Sequence, residues 1–201
     1  MSSSRLHTPT PAAGPSKLPQ SAPKPWIDPA ALPNDRAVTV ESIAGNAPDY
    51  VKRLSCNTFY AYGVGADPAA FGYDVGRATK FVNISIERSM ERAGRLEATT
   101  IAELTVTKHM LNGAGMLHGG CVTYLIDNTP LVVLGVFQNT NGVGVTQAMN
   151  VLFHAPAPLG SQLRIISTSI SMGAACIVDK STGRVVASAF LNKMQPQAAK
   201  L

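Results

Sequence analysis

The run 119–137 leaves no polar stripe when wound as a helix. Cys121, Val122, Tyr124, Leu125, Ile126, Leu131, Val132, Val133, Leu134 and Val136 spread around its whole circumference. A helix that is apolar on nearly every face has no solvent side and must be wrapped by other structure. Its longest apolar stretch, 131–137, is far too short to span a bilayer, so protein must do the wrapping and no stable membrane insertion is expected.

Strands supply the wrapping. Val82, Ile84 and Ile86 alternate with Asn83, Ser85 and Glu87. After a break at Ala93 and Gly94, residues Leu96, Ala98, Ala102, Leu104 and Val106 fall on one face, with Glu97, Thr99, Glu103, Thr105 and Thr107 on the other. That period of two marks a half-buried strand. Strands are also predicted over 143–154, 163–171, 174–178 and 184–193, and the polar turn 179–183, ending in glycine, joins the last two as a hairpin. Two strands, a buried helix and four more strands predict an α+β chain: an antiparallel sheet wrapped around one long helix, the order of a hotdog fold.

The remainder divides by composition. Residues 1–35 hold six prolines between Pro9 and Pro25, with no acidic residue before Asp28, and read as a disordered tail. Uncompensated Arg5, Lys17 and Lys24 also allow a mitochondrial transit peptide, although the prolines spoil an amphipathic helix; cytoplasmic and mitochondrial locations both stay open. Residues 36–77 form a helical extension and loop. Ala47-Pro48-Asp49 offers a helix start, and 60–79, with four glycines and a proline, reads as a loop. The main domain is assigned to 78–195. The net charge of +5 comes without a basic block or a stripe of Lys and Arg among aromatics, so nucleic acid is not an expected partner, whereas a phosphorylated ligand is allowed. Cys56, Cys121 and Cys176 are far apart with no CxxC pair, which argues against a disulfide framework or a zinc site.

One ionisable side chain, Asp127, falls within the apolar run. A carboxylate there is costly unless paired, so it either emerges at a cleft or interface or is held for use; reaching water or capping a neighbouring backbone group is an equally good account. Upstream lies Asn112-Gly113-Ala114-Gly115-Met116-Leu117-His118-Gly119-Gly120. A helix that opens on two glycines presents free N–H groups and the positive dipole end to a closely approaching oxygen, as an oxyanion hole requires. Taken alone, a Gly-Gly helix start is common and a single histidine is more often structural. No GxxxxGK[ST] phosphate loop and no GxSxG elbow is present.

Taken together, Asn112, Leu117-His118-Gly119-Gly120 and Leu125-Ile126-Asp127-Asn128 resemble the hotdog thioesterases of the phenylacetate-degradation type. The resemblance continues through Met149-Asn150 and the corner 156–160, and covers roughly 78–195. It implies hydrolysis of acyl-CoA with no cofactor and no metal. Asp127 would activate water or attack the thioester carbonyl, and the Gly119 N–H would serve as oxyanion donor. Asn112 would orient substrate or water, His118 would shape the loop and help polarise the carbonyl, and the Thr146 hydroxyl would help hold the water. Leu117, Gly120, Asn128 and Met149 are implied substrate contacts. The family's Asp127 position faces a neighbouring subunit, which implies a homodimer or a homotetramer built as a dimer of hotdog dimers.

Three features depart from the pattern. Pro130 follows Asp127 closely and should kink or break the helix, costing ~3 kcal/mol if uncompensated. The strand pair around 170–179 looks truncated. Thr146 stands where a serine is often found, keeping the hydroxyl and adding a methyl. The other readings are a non-catalytic acyl-CoA-binding hotdog module, and a hotdog hydratase or dehydratase, for which no second acid or base stands at suitable spacing. Arg164, Lys180, Arg184 and Lys193 are candidates for the coenzyme A phosphates, each equally readable as a solvated surface charge.

Overall fold

Alternating apolar residues build the sheet. In the computed structural model, which describes residues 39–61, 64–91, 93–129, 145–169 and 173–194, they form β1 (Lys80–Arg88), β2 (Leu96–Thr105), β3 (Val145–Phe153), β4 (Gln162–Ser169), β5 (Gly173–Asp179) and β6 (Val185–Met194). All pairings are antiparallel, in the order β1-β2-β4-β5-β6-β3. The alternation read in β2 is the alternation found: Ala98, Thr100, Ala102 and Leu104 are buried while their neighbours are partly open. β4 and β5 pair in an unbroken register from Leu163↔Asp179 to Ser169↔Gly173, and the turn between them, where a shortened hairpin is expected, lies outside the described residues. Asp179 Oδ1 accepts from the Ser181 and Thr182 N–H groups and so closes the expected turn into β6.

Among the described residues three α-helices accompany the sheet. α1 (Asp49–Ala61) begins at the expected Pro48-Asp49 signal. With Ile43 and Ala47 it packs Val51 and Cys56 on Ile84 and Ala98, forming a cluster of its own. α2 (Tyr73–Ala78) falls where the four glycines read as continuous loop, so that reading is corrected. Tertiary contact overrides glycine's weak helix propensity here, because a Cβ on Gly76 would lie 2.6 Å from the Gly65 backbone. α3 (Gly119–Asn128) crosses the main core, burying Val122, Leu125 and Ile126 against Leu163, Ile165, Ile177 and Leu191. The expectation of a helix buried on all sides is also corrected for the described turns, where Cys121, Thr123, Tyr124, Asp127 and Asn128 are half-buried and Gly120 is exposed. The apolar residues of 131–137 that shaped that expectation lie outside the described residues, as does the tail over 1–35.

The sheet and the helix together are a hotdog arrangement. Both β1 and β3 are edges, and β3 exposes Val145, Leu152 and Phe153. Among the described residues no helix is long and apolar enough to cross a membrane.

Candidate active site

Pro130 sets where the carboxylate stands. The residue before a proline is pushed out of the helical region, and Thr129 accordingly adopts φ −69°, ψ 123°, so α3 stops at Asn128 and Asp127 falls in its last turn. The helix breaks rather than kinks. Thr129 is buried and fixes that turn from below. Its Oγ1 donates to the Leu125 carbonyl at 2.8 Å and accepts from Ser167 Oγ of β4 at 2.9 Å.

Two side chains from the sheet meet Asp127. Thr146 Oγ1 donates a short hydrogen bond to Oδ1, and Lys193 Nζ lies 3.3 Å from the same oxygen and 3.2 Å from the Asp127 main-chain carbonyl. Thr146 reaches the helix because β3 breaks its own alternation. Counting by two from the inward Val151 and Met149 would turn Gln147 inward and Thr146 outward. The register shifts between Thr146 and Ala148, however, so that Thr146 pairs with Lys193 and Ala148 with Asn192. This β-bulge swings Thr146 to the core side beside Lys193, while Gln147 stays exposed and accepts from Asn192 Nδ2 at 2.9 Å. The Asp127 side chain is 39% exposed and that of Lys193 22%. Among the described residues both side-chain contacts fall on Oδ1, which leaves Oδ2 for a ligand.

The carboxylate opens onto a cavity of about 560 Å³ that runs along one face of α3. Gly120, Thr123, Tyr124 and Asp127 follow at i, i+3, i+4 and i+7 and form its wall, with Asn128, Thr146 and Met149 beside them. Val64, Ala70 and Phe71 close the opposite side. Phe71 stands edge-on to Tyr124 at 5.6 Å between ring centroids. Gly72 holds φ +73° against the same ring, where a Cβ would lie 2.5 Å from Cζ, so only glycine lets this segment close over α3. The Tyr124 hydroxyl is buried without a partner among the described residues.

The leading end of α3 is docked on the corner after β3, the Leu117 N–H donating to the Ala157 carbonyl at 2.8 Å, and its side chains are organised locally. Asn112 Oδ1 accepts from the N–H groups of Ala114 (2.9 Å) and Met116 (3.2 Å) and so ties its loop. His118 caps the helix, its Nδ1 accepting from the Gly120 N–H at 2.9 Å, which puts the ring proton on Nε2. The Gly119 N–H, one residue earlier, has no intrahelical acceptor. Packing within the chain does not require glycine there: a Cβ would meet only the Phe153 ring, at 3.5 Å. Leu117 is buried in the main core and does not line the cavity. Gly119 and Asp127 are eight residues apart on one helix, about 12 Å along its axis.

The other sequence candidates are engaged elsewhere. Arg164 and Lys180 both pair with Glu103, at 2.7 and 2.5 Å, and Arg184 donates to the Pro156 carbonyl. The hydrogen bond from Lys180 holds Glu103 below the usual carboxylate range, with burial opposing and Arg164 assisting. Burial pushes the Cys121 thiol up to about 11, so it is no ready nucleophile at neutral pH. Among the described residues no three His, Cys, Asp or Glu side chains gather as they would to hold a metal ion.

Two parts of the site went unread in the sequence. The closing segment around Phe71 lay in what looked like plain loop. Lys193 was marked for phosphate, yet a better signal was present: Ala187, Ala189 and Leu191 are all buried, and Lys193 continues the same period of two where an apolar residue belongs.

No protein-family model matches the chain, and no curated protein matches it. Solved structures do. Thioesterase superfamily member 2 of zebrafish superposes with a TM-score of 0.51 at 18% identity, over 69% of this chain and 95% of that one. The mouse protein of the same name gives 0.50 at 22%, over 70% and 96%. At these identities the likeness shows the fold: the chain has the hotdog architecture of thioesterase superfamily structures.

Proposed function

We propose that this chain, a hotdog of the thioesterase type, hydrolyses acyl-CoA to free acid and coenzyme A, with Asp127 as the working carboxylate. The observation that carries the reading is the carboxylate itself: it is held at one oxygen by Thr146 and Lys193, has no described contact at the other, and lines a cavity large enough for an acyl group. Oδ2 then takes a proton from water as it attacks the thioester carbon, or attacks that carbon itself, expelling coenzyme A thiolate and leaving an acyl–aspartyl anhydride that a water hydrolyses to the free acid. A thioester carbonyl is already electrophilic and coenzyme A thiolate is a tolerable leaving group, so a base and one well-placed N–H donor suffice. Gly119 supplies that donor in this reading. The Asn112 amide nitrogen, left over once Oδ1 ties the loop, orients carbonyl or water, and His118 keeps the loop in shape. Gly120, Asn128 and Met149 contact the acyl group along the cavity.

A single chain does not complete this site. One carbonyl does not reach both Asp127 and the Gly119 N–H of the same helix, about 12 Å apart. A second copy closes the gap by bringing its own helix start to Asp127. The edge strand β3 supports that pairing: Leu152 and Phe153 are 55% and 60% exposed on a strand that, among the described residues, is paired on one side alone. We therefore read the working unit as a homodimer, or a tetramer of two such dimers.

Thiol release from a panel of acyl-CoAs, wild type against Asp127→Asn, tests the reading. The substitution keeps shape and removes the base, and a fall of roughly 10²- to 10⁴-fold with acyl-CoA still bound is expected. Binding without thiol release by the wild type would replace the enzyme with an acyl-CoA-binding module.

A further inference from the structure

We infer that Lys193 is a positioning residue for this hydrolysis: its ammonium holds one oxygen of the Asp127 carboxylate and so orients the other at the end of the helix. The inference rests on the proposed thioesterase reading and deepens it. Asp127 occupies an awkward place for an anion. It lies in the last turn of α3, where unpaired carbonyls form the negative end of the helix dipole, and an acidic side chain there is disfavoured. Lys193 answers both problems at once. Its Nζ lies 3.2 Å from the Asp127 carbonyl, capping a group that the ended helix leaves without an intrahelical donor, and 3.3 Å from Oδ1, pairing the charge.

The placement of the lysine supports a role beyond surface charge. It follows Ala187, Ala189 and Leu191 on the inward side of β6, and only 22% of its side chain is exposed. Across the register it faces Thr146, which the bulge in β3 has turned inward. Ammonium and hydroxyl therefore grip one carboxylate oxygen from two adjacent strands and aim the other at the cavity. A charge-assisted hydrogen bond in so partly dry a place is stronger than a solvated pair. With Nζ committed to two oxygens of Asp127, the residue is poorly placed to take a coenzyme A phosphate.

Two substrates and two variants test this on the full chain. Thiol release is measured with an acyl-CoA and with the acyl N-acetylcysteamine thioester, which carries no phosphate, for wild type, Lys193→Met and Lys193→Arg. Lys193→Met is expected to lower kcat roughly ten- to a hundredfold on both substrates with little change in KM. Lys193→Arg, which keeps the charge, is expected to recover part of the loss. Should the methionine variant fail to fold, Lys193→Gln carries the same comparison with the polar reach kept and the charge removed. A loss confined to KM for the CoA thioester and absent with the phosphate-free substrate would overturn the inference and make Lys193 a phosphate contact. Wild-type kinetics in the methionine or glutamine variant would overturn it as well. A wild type silent on both substrates would instead remove the thioesterase reading and this inference with it.

Discussion

The two ends of α3 are built on opposite plans. At the leading end the side-chain hydrogen bonds are local: Asn112 ties its own loop, His118 caps its own helix, and the partners are two to four residues apart, while the backbone is docked once on a distant corner by the Leu117 N–H to the Ala157 carbonyl. The trailing end is made from three elements, with Asp127 meeting Thr146 nineteen residues on and Lys193 sixty-six residues on. The side chains of the leading end are set by neighbours in sequence once its backbone is docked at Ala157. A long-range end exists only when the sheet is paired in register, so its chemistry depends on the whole fold. The helix start can be offered ready-made to a neighbouring molecule, while the carboxylate has to be assembled.

Substitutions at each end probe that contrast. Asp127→Asn, described above, is expected to have the largest effect. Next comes Thr146→Val, which removes the hydroxyl and keeps the shape: kcat should fall about tenfold, as for one lost hydrogen bond to a charged group, and Thr146→Ser should retain most of it. His118→Ala at the other end should act chiefly on stability, lowering it by about 1 kcal/mol in chemical denaturation as a lost N-cap does. A hundredfold loss of kcat with stability unchanged would show His118 acting on substrate and erase the contrast. The smallest effect concerns neither end and serves as a control. Glu103 is held below its ordinary value by Lys180 and Arg164. Its contribution is therefore present at neutral pH and is lost as pH falls below about 4.3 through its folded value. Glu103→Gln should flatten the acid-side decline in Tm and leave thiol release unaffected.

The same contrast explains what the sequence disclosed. β2 was legible because burial on one face imposes a period of two, and the start of α1 because Pro48 and Asp49 favour a first turn. The glycine-rich leader of α3 was legible for the same local reason. Periodicity alone overstated the burial of α3, since much of the apolar circumference read for it comes from 131–137, past the end of the helix at Asn128. It would also have misdirected Thr146. Strict alternation turns that side chain outward, and only the family resemblance marked it, because a bulge leaves no signature in a pattern of apolar residues. Lys193 was half legible: the period of two in β6 marks it as inward, but its partner is set by how β6 meets the end of a helix sixty-six residues upstream.

The buried Ser167–Thr129 hydroxyl pair carries a consequence for motion. Thr129 donates its amide to the Leu125 carbonyl at 2.9 Å while its side chain is locked to the centre of the sheet. Helix ends ordinarily fray on their own, far below the free energy of global unfolding. This one is tethered to β4, so loosening its last turn means breaking bonds inside the core. In native-state hydrogen exchange the Thr129 amide should then keep company with the slowest strand amides of β4 rather than with helix termini, and the carboxylate two residues before it inherits the stillness of the sheet.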